Sequence, residues 1–269
     1  MFSYPDIDPI ALQIGPIAIR WYALAYLGGI LLGWTYAVRL ARQAPLWPAA
    51  KAPANAEQIG DFVTLVTLGI ILGGRLGYVL FYSPAYFAAN PMEILHVWQG
   101  GMSFHGGLIG VVLAILFFTR QQRLPLGSFA DLIAMVVPIG LLFGRIANFI
   151  NGELWGRVTT APIGMIFPTG GPLPRHPSQL YEAGLEGAAL LILLFIAGSV
   201  LHGLRRPWLI TGLFALGYGA ARIFSEFFRE PDAQIGFLAG GLTMGMVLSL
   251  PLVLGGVGLM AFALRKPAP

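Results

Sequence analysis

The sequence contains no cysteine. This absence excludes disulfide bonds, thiolate metal ligands and a thiol nucleophile of the protein's own. Charge is scarce as well, because 16 basic and 12 acidic residues make up only 10% of the 269 residues, against about a quarter in a soluble domain. So little polar surface excludes an ordinary cytosolic enzyme, a disordered chain and a soluble nucleic-acid binder.

Apolar residues take the place of charge, at 57% of the chain with a mean hydropathy of +0.75. A helix needs about 20 mostly apolar residues to cross a membrane. The seven candidate spans, of which the third is short, are roughly 17–38, 61–82, 104–119, 129–150, 183–201, 208–226 and 239–264. We therefore expect an all-α, polytopic membrane helix bundle in which residues 1–269 form a single integral membrane domain.

The basic residues outside the spans predict the orientation of the bundle. Nine of the sixteen follow spans 1, 3, 5 and 7, namely Arg39, Arg42, Lys51, Arg120, Arg123, Arg205, Arg206, Arg265 and Lys266. Basic connections stay in the cytoplasm, so the N-terminus is expected outside and the C-terminus in the cytoplasm. The small connections on the outer side are then roughly 83–103, 151–182 and 227–238.

Three arginines, Arg75, Arg145 and Arg222, fall inside the predicted spans. An arginine near the bilayer centre costs about 2.5–3.5 kcal/mol on insertion scales, which a chain tolerates when the group faces a polar cavity or a partner. For Arg75, the deepest of the three, we expect an ion pair that holds helices together. For the other two, the alternative to a cavity is a side chain that extends to the membrane interface.

Polar residues accompany two of these arginines at helical spacing. One stripe consists of Tyr218, Arg222, Glu226 and Arg229, at i, i+4, i+8 and i+11. The other begins with Arg145 and Asn148 and continues through Asn151, Glu153, Gly156 and Arg157. A stabilising salt bridge needs no such series of partners, so the stripes favour a functional cavity.

The segment 100–107 reads Gly-Gly-Met-Ser-Phe-His-Gly-Gly. His105 opens a span between glycines, which predicts an imidazole and backbone N–H groups exposed to a ligand; a purely structural histidine is the alternative. His176 precedes Pro177 and Ser178, a pattern that favours a capping turn.

These groups together predict a site for an anionic phospholipid head group beside a proton-transfer residue. Arginine binds phosphate through two parallel hydrogen bonds, and histidine exchanges protons near neutral pH. The histidines lack the H-E-x-x-H and H-x-x-E-H spacings of zinc enzymes. We therefore expect neither a metal nor another cofactor.

Five stretches resemble the prolipoprotein diacylglyceryl transferase family of bacterial inner-membrane enzymes. They are Ile19-Arg20-Trp21-Tyr22 with Tyr26, GGMSFHGGLIG (100–110), GRIANFINGELWGR (144–157), RHPSQLYEA (175–183) and YGAARIFSEFFREPD (218–232). The resemblance implies transfer of a diacylglyceryl group from phosphatidylglycerol to the lipobox cysteine of a preprolipoprotein, with release of glycerol phosphate. It also implies an active site towards the outer, periplasmic leaflet, with membrane lipid and a signal peptide as partners and no nucleic acid.

Carried over by position, the resemblance implies catalytic roles for His105, Arg145 and Arg222. It implies substrate-binding roles for Tyr26, Asn148, Glu153, Gly156, Tyr218 and Glu226. The arginines would stabilise the departing phosphate, and Glu153 and Glu226 would orient the guanidinium groups. His105 would act either as the base for the substrate thiol or as a group that positions the head group.

Two alternative functions remain open on the sequence. Intramembrane arginines also serve transporters and flippases of anionic lipids, although the chain lacks the repeated halves that many transporters have. An intramembrane protease built on Ser103 and His105 is the other alternative, but these residues are only two apart and no nucleophile elbow is present.

Overall fold

A computed structural model describes residues 2–5, 7–231 and 236–265. Two positions used above, Lys266 in the charge pattern and Asp232 in the last motif, lie outside the described residues. The long helices are α1 (Trp21–Ala41), α2 (Ala56–Phe81), α4 (Phe104–Gln121), α5 (Leu126–Ile150), α6 (Ser178–Val200), α7 (Leu209–Glu226) and α8 (Met244–Arg265). A short helix, α3 (Pro84–Ala89), follows α2.

Each predicted span coincides with one long helix, and the ends agree within five residues. Among the described residues, α1, α2, α5, α6 and α8 are long and apolar enough to cross a membrane. The apolar part of α4 is shorter, at His105–Gln121, and α7 carries Arg222 and Glu226 near its end. The chain is therefore a polytopic helical membrane protein.

The expectation of an all-α chain needs a correction at the N-terminus. Strands β2 (Ile10–Ile14) and β3 (Ile17–Arg20) form an antiparallel hairpin, so the predicted first span begins four residues too early. Gly15 turns the hairpin with a φ of +57°, a conformation that glycine adopts without strain. In addition, β1 (Phe2–Ser3) pairs in parallel with β4 (Met165–Ile166).

Glycines set a close contact between α2 and α4. A Cβ atom on Gly77 would lie 2.8 Å from the Cα of Gly106, and one on Gly73 would lie 3.1 Å from the Cα of Gly110. Small residues on both helices let the backbones approach in this way. This packing fixes the start of α4 against α2.

The two ends of α5 have different surroundings. Near its start, Phe129, Leu132 and Met135 are fully buried in the apolar core. Near its end, Arg145 faces acidic side chains of α6, and buried Asn148 donates to Tyr22 and Glu153. The fold thus places a packed apolar core at one end of α5 and a cluster of polar groups at the other.

Candidate functional site: a buried arginine–glutamate cluster

The cluster begins where α5 and α6 approach closely. A Cβ atom on Gly187 would lie 2.7 Å from the Cα of Leu142, so only glycine permits this approach. The contact lies in a π-helical stretch of α6, Ala183–Ala189, and such stretches often occur at functional sites. It brings Glu182 and Glu186 beside Arg145, whose Nη1 lies 2.9 Å from Glu182 Oε2 and whose Nη2 lies 3.3 Å from Glu186 Oε2.

Helix α7 contributes the second arginine. Arg222 Nη1 lies 2.8 Å from Glu182 Oε1 and 3.6 Å from Glu186 Oε1, while its Nη2 pairs with Glu226 one turn further along. Arg229, just past the end of α7, places its Nη1 3.6 Å from Glu182 Oε1. Glu182 therefore contacts three arginines and lies at the centre of the cluster.

The carboxylates of the cluster are more deeply buried than its guanidinium groups. The side chains of Glu182 and Glu186 are fully buried, whereas Arg145, Arg222 and Arg229 are 15%, 13% and 12% exposed. Buried carboxylates persist in a protein when they are paired and hydrogen-bonded. An anion approaching from outside would therefore meet guanidinium groups first.

A chain of polar contacts extends from Asn148 towards Tyr26. Asn148 Nδ2 donates to Glu153 Oε1 at 2.9 Å and to Tyr22 Oη at 3.1 Å. The Tyr22 ring lies 5.1 Å from the ring of Tyr26, which is 57% exposed. Glu153 thus accepts a hydrogen bond from an amide, and its expected role in orienting a guanidinium stays a prediction.

Two further predicted residues are held by packing. Gly156 is buried, its N–H donates to the carbonyl of His176 at 2.8 Å, and a Cβ atom there would lie 2.7 Å from the His176 Cβ. Tyr218 is 6% exposed and stacks on Phe214 at 5.9 Å, one turn before Arg222. Both residues border the cluster from inside the fold.

His105 is exposed in the first turn of α4, and the charge of Arg222 acts on its imidazole. Two of the nearby backbone N–H groups have partners in the protein, because that of Gly106 donates to the Ser103 hydroxyl at 3.2 Å and that of Gly107 to the Ser103 carbonyl at 3.0 Å. Ser103 is 5% exposed and serves as the helix cap. This buried capping role disfavours it as the nucleophile of a protease.

His176 and Arg75 also differ from expectation. The Ser178 hydroxyl donates to the Leu154 carbonyl at 3.0 Å instead of capping α6. His176 Nδ1 lies 3.0 Å from Tyr181 Oη, and burial lowers the pKa of the imidazole below 6.5. Arg75 binds backbone carbonyls where an ion pair was expected.

The chain is similar to proteins of one named family. The family model described as prolipoprotein diacylglyceryl transferase matches residues 9–262. The chain is 60% identical over 258 residues to the phosphatidylglycerol–prolipoprotein diacylglyceryl transferase of Agrobacterium fabrum, covering 96% of this chain and 92% of that protein. It is 57% identical over 269 residues to the protein of the same name from Rhizobium meliloti, covering 100% and 95%.

The chain belongs to the prolipoprotein diacylglyceryl transferase family. A relative so named from Paramagnetospirillum magneticum is 57% identical over 267 residues, with coverage of 99% of this chain and 97% of that protein. The resemblance read from the five motifs is thus confirmed over nearly the whole chain.

Sequence reasoning missed the two central acids of this diacylglyceryl transferase family member. Glu186 lies inside the predicted fifth span and Glu182 lies just before it, four residues apart. The argument applied to the arginines, that charged groups in spans are costly and mark sites, would have found Glu186. The contact with Tyr22 carries no comparable signal, because it depends on how α1 packs against α5.

Proposed function

We propose that the protein transfers the diacylglyceryl group of phosphatidylglycerol to the lipobox cysteine thiol of a preprolipoprotein. The reaction forms a thioether and releases glycerol phosphate. The observation that carries this proposal is the near full-length identity to named transferases, together with the convergence of three of the family motifs on one arginine–glutamate cluster.

The arginines suit the electrostatic demand of this reaction. The thiol sulfur attacks the glycerol carbon that bears the phosphodiester, the C–O bond breaks, and its electron pair passes to the departing phosphate. We assign stabilisation of that charge to Arg145 and Arg222, because donors aimed at developing charge act mainly in the transition state. Both terminal nitrogens of each arginine face carboxylates, so the phosphate competes with those carboxylates for the guanidinium groups.

The substrate thiol, with an unperturbed pKa of about 8.5, must lose its proton to become a nucleophile. We assign this proton to His105, which is exposed and lies within range of the charge of Arg222. The proton then passes to the released phosphate or to water, which completes the balance. Positioning of the head group is the alternative role of His105, and a kinetic test below separates the two.

The remaining residues hold the substrates and the two arginines. Tyr26 and Asn148 are assigned hydrogen bonds to the lipid or the lipobox backbone, with Glu153 fixing the Asn148 amide. Glu226 orients Arg222 through their ion pair. Gly156 and Tyr218 shape the wall of the site through their packing.

We further propose that all seven long helices cross the bacterial inner membrane as a single domain. The nine basic residues on alternate connections support an N-terminus outside and a cytoplasmic C-terminus. In this arrangement the end of α5 with Arg145 lies towards the periplasmic leaflet, where phosphatidylglycerol and the signal peptide would meet.

The test uses purified protein in lipid nanodiscs, with phosphatidylglycerol and a lipobox peptide as substrates. We expect release of glycerol phosphate equimolar with loss of the free thiol, and no release with a matched peptide that carries serine in place of cysteine. Lipid movement between leaflets without head-group release would favour a flippase. Peptide cleavage without lipidation would favour a protease, and either result contradicts the proposal.

A further inference from the structure

Arg75 has no place in the chemistry proposed above, yet it is 5% exposed and makes four hydrogen bonds to backbone. The acceptors are the carbonyl oxygens of Glu93 at 2.6 Å, Ile94 at 2.9 Å, Gly100 at 2.6 Å and Gly101 at 3.2 Å. All four belong to the loop that leads into α4. A planar guanidinium offers five donors in a fixed fork, so this one side chain joins two separate stretches of the loop.

The neighbouring side chains keep Arg75 on the backbone. The carboxylate of Glu93 accepts instead from the hydroxyl of Tyr86 at 2.5 Å. The guanidinium carbon lies 5.0 Å from the centre of the Phe87 ring, which covers one face of the cation. Arg75 thus contacts this loop through its carbonyls and one aromatic ring.

Gly100 and Gly101 supply two of the carbonyl groups that bind this cation. Their φ angles are +87° and +72°, a region in which only glycine is unstrained, and it allows both carbonyls to turn towards one guanidinium. A Cβ atom on Gly101 would lie 2.9 Å from Arg75 Nη1 and 2.7 Å from the Tyr78 ring. A Cβ atom on Gly100 would meet nothing within 4 Å.

Helix α2, which carries Arg75, also contacts the chain just after Gly101. The Ser103 N–H donates to the Gly74 carbonyl at 2.8 Å, and a Cβ atom on Gly106 would lie 3.0 Å from the Cα of Gly77. His105 lies between these anchors. The position of the His105 backbone therefore depends on the contacts of α2 with residues 93–106.

We propose that Arg75 is a positioning residue for His105, acting as a clamp on the backbone of the 93–101 loop. This inference rests on the proposed function, because it assigns to the loop the task of holding His105 beside the substrate thiol. Within the described part of the chain, the hydrogen bonds of Arg75 go to backbone carbonyls and to no side chain of the arginine–glutamate cluster. Its loss should consequently affect turnover and leave lipid affinity nearly intact.

The kinetic test compares Arg75→Lys and Arg75→Gln with the wild type. Lysine keeps the charge but cannot reach both stretches of loop, so we expect kcat per folded molecule to fall about tenfold or more, since small displacements of reacting groups are costly. KM for phosphatidylglycerol should stay within about twofold. Arg205→Lys is the matched control, because Arg205 also donates to a backbone carbonyl, that of Pro45 at 2.9 Å, but lies outside the 93–101 loop, and its kcat should be unchanged.

The absence of cysteine permits a structural readout on the same variants. A spin label on Met92→Cys reports the loop, because Met92 is 71% exposed beside Glu93, and a label on Leu12→Cys in the hairpin serves as the control. We expect Arg75→Gln to increase the mobility of the Met92 label and to leave the Leu12 label unchanged. Equal mobility at position 92 with and without Arg75 would overturn the clamp.

A glycine pair supplies a test that leaves Arg75 in place. Gly101→Ala and Gly100→Ala both carry the strain of a positive φ, but only Gly101→Ala pushes on the guanidinium. We expect kcat to fall further in Gly101→Ala than in Gly100→Ala. Equal kcat values for these two, or a wild-type kcat in Arg75→Lys, would overturn the inference. An inactive wild type would instead count against the proposed function, while the spin labels would still test the clamp.

Discussion

A fully buried carboxylate lies at each end of α5, and the two have different partners. Asp131, near the start, accepts from the backbone N–H of Trp208 at 2.8 Å and from the N–H and hydroxyl of Thr211 at 2.7 and 2.6 Å. Glu182, beside Arg145 near the other end, faces the guanidinium groups of Arg145, Arg222 and Arg229. Asp131 and Arg145 are about 21 Å apart along α5 by residue spacing.

The difference shows how the same buried charge serves two purposes. Asp131 satisfies the free N–H groups at the start of α7 and so acts as a helix cap supplied by another helix. Its surroundings are apolar and closed. Glu182 instead holds partly exposed arginines together, an arrangement that adds little net stability but presents donors to an anion. The first acid fixes the fold, and the second organises a site.

The largest effect should come from Arg145→Lys. Lysine keeps the charge but cannot contact both Glu182 and Glu186, and it loses the paired donors to phosphate. We expect turnover to fall about a hundredfold or more with the melting temperature changed little, measured by peptide lipidation and thermal unfolding. Alanine is avoided because it would strand buried carboxylates, at a cost of about 3–5 kcal/mol.

His105→Asn tests the proton transfer at the same end of α5. If His105 is the base, kcat should fall about a hundredfold and the wild-type rise of kcat with pH near neutrality should disappear. A positioning role would instead raise KM for phosphatidylglycerol and leave the pH profile unchanged. Wild-type values of kcat and KM in His105→Asn would show that His105 has neither role.

Neutralising the acids of the cluster should lower turnover to different degrees. Glu182→Gln affects three arginines at 2.8, 2.9 and 3.6 Å, whereas Glu186→Gln affects two at 3.3 and 3.6 Å. We expect turnover to fall about tenfold in the first and less in the second, since charge-assisted bonds weaken with distance. The reverse order would show that Glu182 is not the organising acid.

Asp131→Asn should lower stability and leave turnover unchanged, the reverse of what we expect for the variants of the cluster. One side-chain oxygen that accepts an N–H becomes a donor, so we expect a loss of about 1–3 kcal/mol in the free energy of unfolding with turnover per folded molecule unchanged. Thr211→Val removes only the hydroxyl donor and should cost about 1 kcal/mol. A hundredfold loss of turnover in Asp131→Asn at normal stability would erase the distinction between the two acids.

The smallest expected effect concerns His176, which lies beside the cluster but outside its ion pairs. Burial lowers the pKa of this imidazole below 6.5, so the unfolded chain binds the proton more readily than the folded one. Stability should therefore decline as the pH falls through about 6.5 towards the lower folded pKa. In His176→Gln this part of the decline should vanish from melting curves taken between about pH 5 and 7.

The helices and the motif residues were predictable because both depend on local pattern. Runs of apolar residues located all seven long helices, and helical spacing placed Arg222 and Glu226 in contact. The hairpin at Ile10–Arg20 was missed because its apolar residues continue into α1 and hide the turn at Gly15. The partners of Arg75 are backbone carbonyls, which leave no trace in side-chain identity.

The mass of a lipobox peptide, after incubation with phosphatidylglycerol and either the wild type or Arg145→Lys, tests the central claim most directly. We expect the wild type to add one diacylglyceryl group to the cysteine, and folded Arg145→Lys to leave nearly all of the peptide unmodified. If the folded wild type left the peptide unmodified in the presence of phosphatidylglycerol, or if both proteins lipidated the peptide equally, the assignment of this transfer to the cluster at the end of α5 would be contradicted.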